Sequence, residues 1–146
     1  MKLHQLSLFL ENRPGELRPP IQALADAGIN ILTLSLADTE QFGILRLVVS
    51  DWAKAAQLLE EAGYAATVTE VLAVQVPDRP GGLSQILELF DNTEINIEYM
   101  YAFPNGRGET AVLIFRFNDP DGAIERLQTA GINLVGSSEV YRRIEK

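Results

Sequence analysis

Two stretches of this chain are one turn written twice. Residues 10–31 read LENRPGELRPPIQALADAGINI, and residues 76–97 read VPDRPGGLSQILELFDNTEINI. Arg13, Pro14, Gly15 and Leu17 return as Arg79, Pro80, Gly81 and Leu83, and Ile29-Asn30-Ile31 returns as Ile95-Asn96-Ile97, each 66 residues later. A period of that length in a chain of 146 residues leaves room for two copies of one small folding unit. We read the units as residues 1–71 and 72–146, with 47% hydrophobic content to build the core.

Hydrophobic periodicity gives the contents of a unit. Leu6, Leu8 and Leu10 alternate with Gln5, Ser7 and Phe9, as in a strand with one buried face. Leu17, Ile21, Leu24 and Ala25 then fall at helical spacing up to Gly28, which suits a helix C-terminus. A second strand runs from Ile29 to about Ala37, and ILRLVV returns as a third. Asp51 is placed to cap a helix whose Ala55, Leu58, Leu59 and Ala62 share a face, and Tyr64–Val76 reads as extended. The second copy repeats the order, with a helix over roughly Gly82–Asn92 and strands at Ile95–Phe103 and Thr110–Phe117, and a final strand within Ile132–Tyr141. PNGRGE joins the middle strands, its Asn-Gly suited to a hairpin, and two extra residues there move the later spacing to 68. Each unit is therefore βαββαβ. Right-handed crossovers make this a four-stranded antiparallel sheet with both helices on one face, a ferredoxin-like α+β sandwich. The other face of each sheet is left to be polar or to find a partner.

The bulk numbers exclude several functions. The net charge of −8 divides evenly, with 5 basic and 9 acidic residues in 1–72 and 7 and 11 in 73–146. Neither half offers a basic stripe, which argues against nucleic-acid binding. The sequence lacks cysteine, which excludes thiol chemistry, and its single histidine, His4, has no obvious carboxylate partner, so a Ser-His-Asp arrangement has little to be built from. No His/Cys cluster or Asp-x-Asp loop suggests a metal, and no Walker or GxGxxG pattern suggests a phosphate loop. The opening MKLHQLSLFLENRPG is too interrupted for a signal peptide, and no apolar run is long enough for a membrane span. A cytoplasmic, non-enzymatic protein without cofactor is the expectation.

The repeated turn has a chemistry of its own. Arg-Pro favours extended backbone, Pro80 sets φ, and Gly81 admits conformations closed to other residues. The helix after it begins with amide groups lacking intrahelical acceptors, and these suit a carboxylate. Asp78 capping those amides in a purely architectural turn is the plain alternative. Asn30 and Asn96 offer donors and acceptors at the second-strand start, or are simply turn formers.

A βαββαβ unit with [ND]RPG-x-L between first strand and helix, then IN-I opening the second strand, resembles the ACT domain. The resemblance covers nearly the whole chain as a tandem pair. It implies a sensor that binds an amino acid or similar metabolite between paired units and regulates an enzyme of amino-acid metabolism. The positions it marks as ligand-facing are Asn12, Arg13, Pro14, Gly15, Glu16 and Leu17 with Asn30 and Ile31. In the second copy they are Asp78, Arg79, Pro80, Gly81, Gly82 and Leu83 with Asn96 and Ile97. The ligand carboxylate would meet the helix start after Gly81, and Asn96 or a backbone carbonyl would hold the ammonium.

The copies are not equivalent. Pro19 and Pro20 fit only a first helix that starts late, near Arg18. That lengthens the first turn, and Glu16 would repel a carboxylate, so DRPGGL is the better ligand loop on sequence. In the second strands Leu32, Leu34 and Leu36 share a face, whereas the second copy carries Tyr99, Tyr101 and Phe103 on the opposite one. Either a β-bulge switches the pleat, or the second unit exposes an aromatic face as an interface. The expected protein is a homodimer that binds an amino acid. Its rival is an assembly module that binds a metabolic enzyme through an open sheet face.

Overall fold

The computed structural model describes residues 2–107, 110–136 and 140. In chain order the elements are β1 (Lys2–Glu11), α1 (Arg18–Asp26), β2 (Ile31–Asp38), β3 (Phe42–Val49), α2 (Trp52–Glu61) and β4 (Ala66–Pro77). They continue as α3 (Gly82–Glu88), β5 (Ile97–Arg107), β6 (Thr110–Phe117), α4 (Pro120–Thr129) and β7 (Leu134–Val135). His4–Thr69 form one compact unit; the described residues from Glu70 onward, with Lys2 and Leu3, form the other. The first unit has strand order β2-β3-β1, completed by the opening residues of β4, and the second has β7-β4-β6-β5. β3 runs antiparallel to both β1 and β2, β4 to both β6 and β7, and β5 to β6. These are two ferredoxin-like α+β units.

Each unit buries the face its periodicity marks. Leu6, Leu8 and Leu10 of β1 meet Leu45, Leu47 and Val49 of β3 beneath Leu24 of α1 and Ala55 and Leu59 of α2. In the second unit Leu72, Val74, Val76, Phe115 and Phe117 lie beneath Ile86, Ala123 and Leu127. Fully burying one such side chain contributes roughly 1.5–3 kcal/mol, so these rows dominate each unit's stability. Asp51 caps α2 by accepting from the Lys54 amide at 3.2 Å, and Asp119 caps α4 by accepting from the Gly122 amide at 3.0 Å.

Two details depart from the sequence expectations, the length of α3 and the place of the hairpin turn. The helix-free faces are partly covered: Gln5, Thr33 and Val48 of the first unit, and Val71, Ala73, Val112 and Ile114 of the second, are buried, while Phe9 and Phe42 are exposed. α3 ends at Glu88, because the amides of Leu89, Phe90 and Asp91 turn to carbonyls three residues back; tighter i→i+3 turns replace the last α turn. Asn105-Gly106 does not turn the hairpin, since β5 continues to Arg107, which pairs with Thr110. Of the expected last strand, β7 covers two residues, and 137–139 and 141 lie outside the described residues.

The bulge exists, in both copies. The register of β2 on β3 shifts between Ile31 and Thr33, and that of β5 on β6 between Ile97 and Tyr99. The extra residue flips every side chain after it to the other face. Leu34 and Leu36 therefore pair with Leu47 and Leu45 on the helix side, while Tyr99, Tyr101 and Phe103 pair with Arg116, Ile114 and Val112 on the other side.

Candidate ligand turns

The two turns share one backbone. Gly15 and Gly81 both have φ +86°, a conformation glycine adopts without penalty. The Glu16 amide donates to the Arg13 carbonyl at 3.3 Å, and at the 66-residue offset Gly82 donates to Arg79 at 3.0 Å. The turns part company at the helix start. α3 begins at Gly82, whereas α1 begins at Arg18 rather than at the matching residue 16. Pro19 and Pro20 occupy its first turn, where an amide hydrogen would lack an intrahelical acceptor anyway.

The second turn is drawn tight. A Cβ on Gly82 would lie 1.9 Å from the Pro77 carbonyl oxygen, so glycine is required there. The amides of Leu83 and Ser84 have no acceptor among the described residues. Asp78, Arg79, Pro80 and Gly81 are exposed, and Asp78 makes no cap bond to α3.

The first turn is wider, and a 220 Å³ cavity opens beside it, lined among others by Asn12, Arg13, Glu16, Leu17, Leu36 and Asp38. Glu16 does not stand there as a bare negative charge. Arg13 Nη2 bridges Glu16 at 2.9 Å and Glu11 at 2.8 Å. The hydrogen bond to Glu16 and the attraction of Glu11 raise the Arg13 pKa above its ordinary value. Asn12 is fixed from both sides: its amide donates to Gln41 and its Nδ2 to the Glu40 carbonyl, at 2.9 and 3.0 Å. Leu36, Asp38 and Gly43 belong to no motif in the sequence. Their signal is topological, because β1 and β2 both run antiparallel to β3, so the DTEQFG hairpin must end beside the turn.

Asn30 and Asn96 lie elsewhere in their own units. Each opens its second strand, and its backbone exchanges bonds with the residue after the third strand, Asn30 with Ser50 and Asn96 with Asn118. Glu11 pairs with Phe42 and Ile31 with Val49. Seven residues of β3 separate those pairs, about 24 Å at strand rise, and β6 separates Pro77 from Ile97 likewise. No unit brings its own turn and asparagine together. Among the interface candidates Phe103 is 4% exposed, and Tyr99 and Tyr101 are half-buried.

Among the described residues no group of His, Cys, Asp or Glu is placed to hold a metal, and no helix is long and apolar enough to cross a membrane. The fold and the paired turns define a duplicated βαββαβ module. The ACT domain pair family matches residues 1–143, and the chain belongs to that family. It is similar over 97% of its length, and 96% of the other chain, to protein BT0572 from Bacteroides thetaiotaomicron, at 36% identity and a TM-score of 0.89. The regulatory subunits of aspartate kinase from Thermus thermophilus and Thermus flavus share the fold, with TM-scores of 0.60 and 0.61. Each is 19% identical, over 87% of this chain and 91% of theirs. No curated protein matches the chain.

Proposed function

We propose that this chain is a non-catalytic, cytoplasmic regulatory protein whose two ACT units, 1–71 and 72–146, sense an amino acid as a homodimer. The observation that carries the reading is the cavity at the first turn. It is lined by Arg13 and Asn12, whose remaining donors would meet a carboxylate, by Asp38, which would meet an ammonium, and by Leu10, Leu17 and Leu36, which would meet a side chain. The second turn, Asp78–Leu83, is the corresponding candidate, with its unpaired Leu83 and Ser84 amides turned to a carboxylate.

A second copy completes the site. β2 is the outer strand of its sheet, and Leu34 and Leu36 on it are 47% and 54% exposed. Antiparallel pairing of β2 with the β2 of a second copy covers these leucines. It also carries that copy's Asn30 and Ile31 to the end where the turn lies. Asn96, Ile97, Tyr99 and Tyr101 hold the matching places on β5 for the second turn. Ligand bound across such a junction favours the paired state over the open one, which is what a signal requires. An enzyme of amino-acid metabolism is the proposed target. The likeness to aspartate kinase regulatory subunits supports that class.

Titration calorimetry of the purified chain against the twenty amino acids tests the reading. Saturable heat from at least one, weakened about tenfold or more in Arg13→Ala, is the expected result; silence from all twenty overturns it. One observation favours the rival assembly module: Phe9 and Phe42, at the turn end of the helix-free face, are 57% and 48% exposed. Capture of a partner enzyme that is insensitive to every amino acid and lost in Phe9→Ser would decide for it.

A further inference from the structure

We propose that the groove between α3 and α4 is a second ligand site, separate from the turns, and that it takes an aliphatic α-amino acid. The groove is a 490 Å³ cavity lined by Leu89, Ile95, Gly122, Glu125, Arg126 and Thr129. The last four fall at i, i+3, i+4 and i+7 on α4 and form one stripe of that helix. Leu89 and Ile95, from the segment between α3 and β5, make the apolar wall.

The duplication supplies an internal control. At the 68-residue offset Gly122 corresponds to Lys54 and Arg126 to Leu58. In the first unit Lys54 reaches across to the end of α1, where Nζ donates to the Ala27 carbonyl at 3.2 Å, and Leu58 packs against the core. The second unit satisfies the end of α3 from a different position: Arg126 Nη1 donates to the Leu89 carbonyl at 3.1 Å. Where the first unit has its lysine, the second has a glycine and a gap. A Cβ at Gly122 would come within 2.3 Å of Asp119 Oδ2, on the carboxylate that caps α4, so that side chain would have to shift.

The charges in the groove select the ligand. Arg126 spends one donor on Leu89 and keeps the rest of its fork for an acceptor. Neither Arg126 nor Glu125 is ion-paired to another described residue, and Glu125 has no hydrogen bond to one. Glu125 and Arg126 are exposed; a simple carboxylate would engage Arg126 alone, and a simple amine Glu125 alone. A zwitterion answers both: its carboxylate meets Arg126 and the Thr129 hydroxyl, its ammonium meets Glu125, and an aliphatic side chain lies on Leu89 and Ile95.

The test is a two-dimensional NMR titration of the ¹⁵N-labelled full chain with L-leucine, 4-methylpentanoate and isopentylamine. Leucine is expected to give saturable shifts at the amides of Leu89, Ile95, Gly122, Arg126 and Thr129, with both fragments at least about tenfold weaker. The double variant Gly122→Lys with Arg126→Leu, which restores the side chains of the first unit, should bind about tenfold more weakly or worse. Its spectrum reports its fold directly, and Arg126→Gln is the milder substitution should the double variant unfold. Absent groove shifts, wild-type affinity in the variants, or 4-methylpentanoate binding as tightly as leucine each overturn the proposal. The amides of Asn12, Arg13 and Gly15–Leu17, and of Arg79 and Gly81–Ser84, report the turn sites separately, so failure of one site is distinguished from failure of the other.

Discussion

Replacing Gly82 with alanine adds one methyl group at a place with no room for it. The new Cβ would sit 1.9 Å from the Pro77 carbonyl oxygen, 2.9 Å from its carbon and 3.2 Å from Pro77 Cβ. Ordinary contact begins near 3.4 Å, so the end of β4 and the start of α3 must separate by about 1.5 Å. Overpacking of this kind costs about 1–3 kcal/mol. Alanine recovers roughly 0.5–1 kcal/mol through helix propensity and a less flexible unfolded chain. The expected net loss is therefore on the order of 1–2 kcal/mol, confined to the second unit. Gly81→Ala is the comparison: nothing lies within 4 Å of its Cβ, so its cost is the left-handed backbone alone at φ +86°, about 1 kcal/mol. Because the chain has two units, a single unfolding midpoint is a poor measure. Hydrogen exchange of the β4–β6 ladder reads the second unit directly, and the β1–β3 ladder serves as internal reference. Faster exchange in β4–β6 with β1–β3 unchanged is the expected pattern. Unchanged protection in Gly82→Ala would refute the argument that the close approach of Pro77 and Gly82 holds the turn.

Helix caps and a lysine ion pair give two further tests. Asp51→Ala and Asp119→Ala each remove a side-chain cap, and each should cost about 1 kcal/mol in its own unit, read by the same exchange experiment. Lys2 has a raised pKa, first through its hydrogen bond to Asp121 and then through Glu70. A raised pKa means its contribution is fully present below the ordinary value of 10.5 and is lost as pH climbs above it. Thermal unfolding at rising alkaline pH should therefore show a small loss in wild type that is absent in Lys2→Met.

Periodicity was enough for the architecture because each pattern has one physical solution. Alternation at Leu6, Leu8 and Leu10 needs a strand with one buried face, and the spacing of Ala55 and Leu59 needs a helix laid on it. Pro19 and Pro20 dictated a late start for α1 for the same kind of reason: a ring without an amide hydrogen is tolerated in the first turn of a helix. Duplication of the turn was visible residue by residue.

What the sequence by itself determined, then, was two βαββαβ units and two turns with the same glycine. Tertiary structure decided which residues meet. One extra residue in β2 and one in β5 reverse a face; the mismatch between the two second strands allowed a bulge as one of two alternatives, and the register of the neighbouring strand settles it. The parallel course of β1 and β2 brings Leu36 and Asp38 to the first turn and leaves Asn30 about 24 Å away at strand rise. The room beside that turn exists only once three distant segments share one end of a sheet, whereas the salt bridges of Arg13 to Glu11 and Glu16 are local.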